Sequence, residues 1–260
     1  MIQLTVHLTP HQVDELALRD KRVVVVDVLR AGTTVTTALN NGAREVIPTA
    51  SVESAAKISG NLTGSITLLA GERNGKMVEG FHLGPSPLEH TPEKVRGKSV
   101  VFISSNGSPV FLKARHAREM AVCSFVNLSA VAESVRGVEG DLVIVCAGNG
   151  GGFSFEDAVC AGMLIQLLAD RHKVALELGD AGFAAFALQK GHAKNLPRML
   201  RDTDNGRTLT EMGAEADIAY CAGLDTIPVV PALDGTVLRL RRPAEKITPP
   251  ADMPAAQLEK

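Results

Sequence analysis

The chain has 260 residues, a formal net charge of −2, 45% hydrophobic residues, no tryptophan and one tyrosine, Tyr220. With no basic block to follow a phosphate backbone and almost no aromatic surface to stack bases, the composition speaks against nucleic-acid binding. No apolar run reaches the roughly 18 residues of a membrane span, and the opening MIQLTVHLTP is too short and too polar for a signal peptide. The length can support one large core or two small ones. The cysteines, Cys123, Cys146, Cys160 and Cys221, form no CxxC pair. They are expected to be reduced thiols of a cytoplasmic protein, not disulfides or a zinc site.

In chain order, residues 3–7 alternate and are expected to form an edge strand. Thr9 can cap a helix over 10–19, with Pro10 at its first position. Four valines, 23–26, predict a strand buried on both faces. It runs into Asp27, Arg30, the small pair Ala31-Gly32 and the hydroxyls Thr33 and Thr34, and then a helix closed by Asn41-Gly42. A polar turn between strand and helix is where an open α/β sheet keeps ligands. Free N–H groups and hydroxyls at a helix start suit an anion, and a carboxylate beside them suits a hard cation. The plainer alternative is an ordinary turn, with Asp27 solvated and Thr33 capping the helix.

A strand over 45–48 and a helix over 52–58, capped by Ser51, come next. A strand over 66–70 leads into GERNGKMVEGFHLGPSPLEH, which is polar and aperiodic and carries Glu72, Arg73, Lys76, Glu79, His82 and Ser86. A segment of that kind is expected to be a substrate loop. The strand 99–104 ends in SSNGS before a helix over 109–116. A short strand, 120–124, precedes a helix capped by Asn127. The strand 141–146 ends in CAGNGGGFSFEDAVCAG, where Ser154 caps a helix over 155–169 with Glu156 and Asp157 in its first turn. Helical pieces follow at 179–190, with Asp180 at the start, at 192–201 and at 209–212, and short strands at 218–221, 229–230 and 236–240. The pattern predicts an α/β fold, a three-layer α/β/α arrangement with a largely parallel or mixed sheet. Residues 1–244 form either one unit or two similar intertwined halves meeting near 125–140, and 245–260 are expected to be a flexible tail.

Known phosphate motifs fail one by one. Residues 71–77 are one residue short of a Walker loop and end in Met77. The glycines at 148–152 lack dinucleotide spacing. A cysteine phosphatase built on Cys146 would need an arginine where Gly152 stands, and an aspartyl-phosphatase of D-x-D type would need an acid at Leu29. What remains is a set of acids at strand ends and helix starts, Asp27, Glu72, Glu156, Asp157 and Asp180, beside turns that can hold an anion. Carboxylates holding Mg²⁺ next to a phosphate would serve Lewis-acid chemistry. Arg30 or Arg73 could pair bidentately with phosphate, sulfonate or carboxylate oxygens.

The segment VDVLRAGTTVTTAL resembles the VDVLRATTT signature of the 2-phosphosulfolactate phosphatase (ComB) family. GERNGKMVEGFHLGPSP, SSNGS, VCAGNGGGFSFEDAVCAG, the alanine helix at Asp180, DNGRTLTEMG and DIAYCAGLDTIPVVP follow in the family's order, so the resemblance spans roughly residues 23–231. It implies a cytoplasmic Mg²⁺-dependent phosphomonoesterase of α/β/α fold. That activity converts 2-phospho-3-sulfolactate, or a similar small phosphorylated hydroxy acid, to 3-sulfolactate and phosphate, a step towards coenzyme M. The matching positions include Asp27, Arg30, Glu72 and Asp157 as the expected catalytic set, with Asp27, Glu72 and Asp157 around the metal. Thr33, Thr34, Arg73, Asn106, Gly107 and Cys146 are the expected substrate contacts. The sequence departs from the signature at Gly32, where the family has threonine, at Pro85, where asparagine is usual, and at SSNGS in place of TTNGT. A homodimer is expected, without nucleic-acid or membrane partners. The rival readings are a small-anion binding protein without turnover and a sugar or nucleotide isomerase on a similar frame.

Overall fold

The computed structural model describes residues 2–62, 66–137 and 140–241. The tail expected from residue 245 lies outside them. Eleven strands among the described residues are β1 (Ile2–His7), β2 (Arg22–Val26), β3 (Glu45–Thr49), β4 (Thr67–Arg73), β5 (Lys76–Met77), β6 (Ser99–Ile103), β7 (Glu119–Cys123), β8 (Leu142–Cys146), β9 (Leu176–Leu178), β10 (Pro231–Asp234) and β11 (Val237–Leu240). They form one mixed sheet in the order β5-β4-β6-β3-β11-β10-β7-β2-β8-β1-β9. Two parallel sets compose it. One is β4, β6 and β3; the other is β7, β2, β8, β1 and β9. The β10–β11 hairpin joins them by antiparallel bridges at Ala232–Ala121 and Leu238–Val46.

The helices are α1 (Ala31–Asn40), α2 (Val52–Asn61), α3 (Pro92–Val95), α4 (Gly107–Lys113), α5 (Leu128–Val135), α6 (Phe155–Gln166), α7 (Asp180–His192), α8 (Leu196–Asp202), α9 (Asp204–Glu211) and α10 (Glu215–Cys221). They cover both faces of the sheet. The valine strand β2 shows why: side chains alternate across a strand. Val23 and Val25 pack with α1 and α4, whereas Val24 and Val26 pack with α5 and α6. A smaller cluster of Ile47, Ala55 and Val101 seats α2. Burying each of these valines stabilises the fold by about 1.5–3 kcal/mol. This is the three-layer α/β/α arrangement.

Several local expectations change. The strand over 3–7 is β1, which lies between β8 and β9 and is not at the edge. Its alternation survives because one face is half exposed. The helix expected over 10–19 is two short 3₁₀ turns, Pro10–Gln12 and Leu16–Leu18. The strand expected over 218–221 is the second half of α10, whose first turn holds Glu215 and Asp217, as suits the positive end of a helix. Ser51 and Ser154 cap α2 and α6 as expected, accepting from the N–H groups of Ser54 and Asp157.

Candidate active site

The strand ends supply the site. β2 gives way to Asp27, β4 ends at Glu72-Arg73, and β6 runs through residues 104–106 into α4. These ends border one cavity of about 320 Å³. Asp27, Arg30, Glu72, Asn106, Gly107 and Asn205 are among its lining residues, and Asn149 and Thr208 add to the polar wall. The parts fit closely. A Cβ on Gly107 would collide with the Asp27 carboxylate and stand 2.7 Å from the Ala31 Cβ.

Asp27 is only 3% exposed. Burial pushes its carboxyl up to about 7; hydrogen bonds from the Gly32 and Ala31 amides oppose that rise, and the charges of Glu156 and Glu72 add to it. The first-turn amides of α1 are therefore turned towards the protein's own carboxylate, not left free for a ligand anion. Glu72 ties two loops together. Its Oε1 accepts from the Ser105 amide at 2.5 Å, and its Oε2 accepts from the Gly75 amide at 2.7 Å and the Ser105 hydroxyl at 3.0 Å.

Arg30 is the single arginine or lysine among the described residues lining the cavity. Its Nη1 donates to Asp217 Oδ2 at 2.7 Å and its Nη2 to the Gly75 carbonyl at 3.1 Å. Asp217 also accepts from the Ser86 hydroxyl at 2.5 Å. One buried carboxylate on α10 thus fastens the turn after β2 to the 85–86 loop.

Asp157 does not border the cavity. Its Oδ1 accepts from the Val28 amide at 2.9 Å and its Oδ2 from the Gly148 amide at 3.0 Å. Burial, with the charges of Asp27 and Glu156, raises its carboxyl well above the ordinary range. Burial also raises Glu156, whose Oε1 accepts from the Asn205 side-chain amide at 2.7 Å. Among the described residues no three Asp, Glu, His or Cys side chains converge to hold a metal ion by themselves. The expected shell of Asp27, Glu72 and Asp157 is therefore not a closed protein cage, because Asp157 is turned to backbone amides.

Four expected substrate contacts lie elsewhere. The Thr33 hydroxyl donates to the Val28 carbonyl at 2.9 Å and the Thr34 hydroxyl to the Pro85 carbonyl at 2.7 Å, since both face the packed side of α1. Arg73 donates to the carbonyls of Ala50 at 2.5 Å and Ser104 at 3.4 Å. Cys146 is fully buried, and burial raises its thiol well above the usual value, with Asp157 and Glu156 adding to the effect. The Asn106 side-chain oxygen accepts from the Gly150 amide at 3.0 Å, linking two walls of the cavity. Asp180 is exposed at the start of α7. Asn205, inside the motif DNGRTLTEMG, is a polar wall residue that sequence reasoning did not single out. Asp217, the first residue of the segment DIAYCAGLDTIPVVP, is likewise a residue that sequence reasoning did not single out.

The family model for 2-phosphosulpholactate phosphatase matches residues 7–236. The chain belongs to the 2-phosphosulpholactate phosphatase family. Its relatives are similar along nearly their whole length. A protein of Caldanaerobacter subterraneus subsp. tengcongensis named "Probable 2-phosphosulfolactate phosphatase" is 39% identical over 236 residues, 91% of this chain and 97% of its own. Proteins of the same name from Thermotoga maritima and Clostridium acetobutylicum are 38% and 35% identical, covering 85% and 86% of this chain and 92% and 94% of theirs. The family is one of phosphoric monoester hydrolases, so the cavity at the β2, β4 and β6 ends belongs to an enzyme acting on a small phosphorylated substrate. Among the described residues no helix is long and apolar enough to cross a membrane.

Proposed function

We propose that this enzyme hydrolyses 2-phospho-3-sulfolactate to 3-sulfolactate and phosphate, with Mg²⁺ as its cofactor. The observation that carries the reading is the buried Asp27 carboxylate in the wall of the cavity that Glu72 and Arg30 also line. The acids there repel one another, and Arg30 is already paired with Asp217. The donor set therefore calls for a cation. Mg²⁺ needs only one or two carboxylates when waters and phosphate oxygens complete its shell. Asp27 would hold it, with Glu72 next to it. When bound, the ion supplies positive charge to the phosphoryl oxygens.

Arg30 would orient the anionic groups of the substrate, and Asn106 and Gly107 would border the phosphoryl group. Water attacks phosphorus, the bond to the sulfolactate oxygen breaks, and the leaving oxygen takes up a proton. An aspartyl-phosphate on Asp27 is the alternative course. A homodimer in the cytoplasm, on a route to coenzyme M, completes the proposal.

The test is phosphate release from a panel of phosphorylated hydroxy acids, with and without a sulfonate, with and without Mg²⁺. Release favouring the sulfonate and requiring Mg²⁺ is expected. Saturable binding without release would instead leave the small-anion binding protein.

A further inference from the structure

Asn205 and Asn149 belong to the wall of the cavity at Asp27. Both also line a second cavity, of about 420 Å³. Its walls are rich in carbon. Phe155 meets the His192 ring edge-on at 4.8 Å between centroids, Met199 lies alongside, and Phe153 borders the mouth at 46% exposure. Glu156, 1% exposed, lies at the boundary and accepts from Asn205. Arg207, the one arginine of the lining among the described residues, donates to the Asp204 carboxylate and the Asp202 carbonyl. Glu156, Asp202 and Asp204 are acids of the same lining, which does not favour a second anion. Aromatic edges around a polar boundary fit a flat, uncharged group.

We propose that this chamber is a second subsite of the same enzyme, taking an aromatic group on the alcohol part of a phosphate monoester whose phosphoryl group lies beside Asp27. The proposal rests on the phosphatase reading and widens its substrate class. A three-carbon acid fits within the first cavity and leaves the second without a role. A phosphorylated hydroxy acid carrying a ring can span Asn205 and use both. The chemistry is unchanged: water forms the new bond to phosphorus, the ester P–O bond breaks, and the alcohol leaves with a proton.

The experiment compares 2-phospholactate, 2-phospho-3-sulfolactate and 2-phospho-3-phenyllactate on the full chain. The phenyl compound should show kcat/KM at least ~10-fold above 2-phospholactate, mostly through KM. Phe155→Ala should shrink that ratio towards one. Phe153→Ala, at an exposed position where folding is not at stake, should lower it in the same direction. A phenyl compound no better than 2-phospholactate overturns the subsite. So does a ratio that both variants leave unchanged, or a Phe153→Ala effect on oligomeric state alone, which would make the chamber a contact between copies. No phosphate from any of the three compounds would remove the phosphatase reading itself, and the subsite with it.

Discussion

The Gly32 amide donates to the Asp27 carboxylate, and the Gly32 Cα lies so close to the Asp27 backbone that an added Cβ would collide with its carbonyl oxygen. The hydrogen bond and the lack of a side chain are parts of one arrangement. The start of α1 can close onto Asp27 only because residue 32 is glycine. The family's threonine cannot enter this backbone unless the turn moves away from β2. Gly32→Ala is expected to lower stability by about 1–3 kcal/mol, the usual cost of overpacking. It should also reduce turnover, because the carboxylate shifts with the turn. Denaturant unfolding and phosphate release check both, and stability within about 0.5 kcal/mol of the parent, the usual spread for neutral substitutions, would contradict the close approach.

The Arg30–Asp217 pair gives a second expectation. Both side chains are under 10% exposed, and Asp217 also holds Ser86. Removing one partner of a buried pair leaves the other charge uncompensated, at a cost of about 3–5 kcal/mol. Asp217→Ala should therefore unfold at clearly lower denaturant concentration and raise KM, since Arg30 loses its orientation. Asp217→Asn keeps the shape and one acceptor and should recover part of the loss. Equal stability of all three proteins would remove the pair from the account.

The difference between Arg30 and Asp217 shows what the sequence could and could not convey. Arg30 sits in the conspicuous turn after four valines, and a buried strand followed by polar residues is a local signal. Its partner is 187 positions away, just before the strand expected over 218–221. The wider helical pattern, with Ile218 and Cys221 three apart on the buried side, decides otherwise. Strand ends and serine caps were legible for the same local reason. The directions of Thr33, Thr34 and Arg73 were not. They depend on which face of α1 is packed and on where the 50 and 85 loops present their carbonyls. Asp157 reads as a ligand from its type and position, yet two backbone amides claim its oxygens once the 148 loop is folded over it.

His90 makes stability depend on pH. Its ring is fully buried, Nδ1 lies 2.9 Å from the Ser86 carbonyl, and Nε2 meets no partner among the described residues. The carbonyl assigns the proton to Nδ1, so protonation would add an N–H at Nε2 without an acceptor. Burial accordingly lowers its pKa below 6.5. The unfolded chain then binds the proton more readily than the folded one. Stability from this group is complete above 6.5 and is lost as pH falls from there towards the lower folded value. Unfolding of the parent and of His90→Gln, followed from pH ~7.5 to ~5.5 across the ordinary histidine range, should show a steeper loss in the parent. Parallel curves would contradict it.

Cys146 supplies the sharpest chemical exclusion. A nucleophilic thiol needs a lowered pKa and an open approach. This one is buried, raised, and outside the cavity lining. Cys146→Ser is expected to keep turnover within about tenfold of the parent, any loss coming from a buried hydroxyl. Alkylating reagents should leave the native enzyme active. A folded variant slowed by several powers of ten would bring the thiol back into the chemistry.

Asp27 carries the functional reading. The valine strand fixes it from below, the α1 amides fix its carboxylate from the side, and Gly107 approaches it without a side chain. Asp27→Asn keeps that shape and removes the charge on which cation binding depends. The amide nitrogen would also face the Ala31 and Gly32 N–H groups, or turn away from them, so one acceptor remains. Turnover is expected to fall at least ~100-fold, about 2.7 kcal/mol of transition-state stabilisation, and the Mg²⁺ concentration for half activity should rise. The fold should hold, since relief of a buried, crowded carboxylate offsets the lost hydrogen bonding. Turnover across a Mg²⁺ series, with circular dichroism and calorimetric binding of Mg²⁺ alone to both proteins, separates loss of the metal from loss of the fold. Mg²⁺ binding of equal strength in the two proteins would place the cation elsewhere. Parental turnover in Asp27→Asn would move the chemistry away from the β2 end altogether.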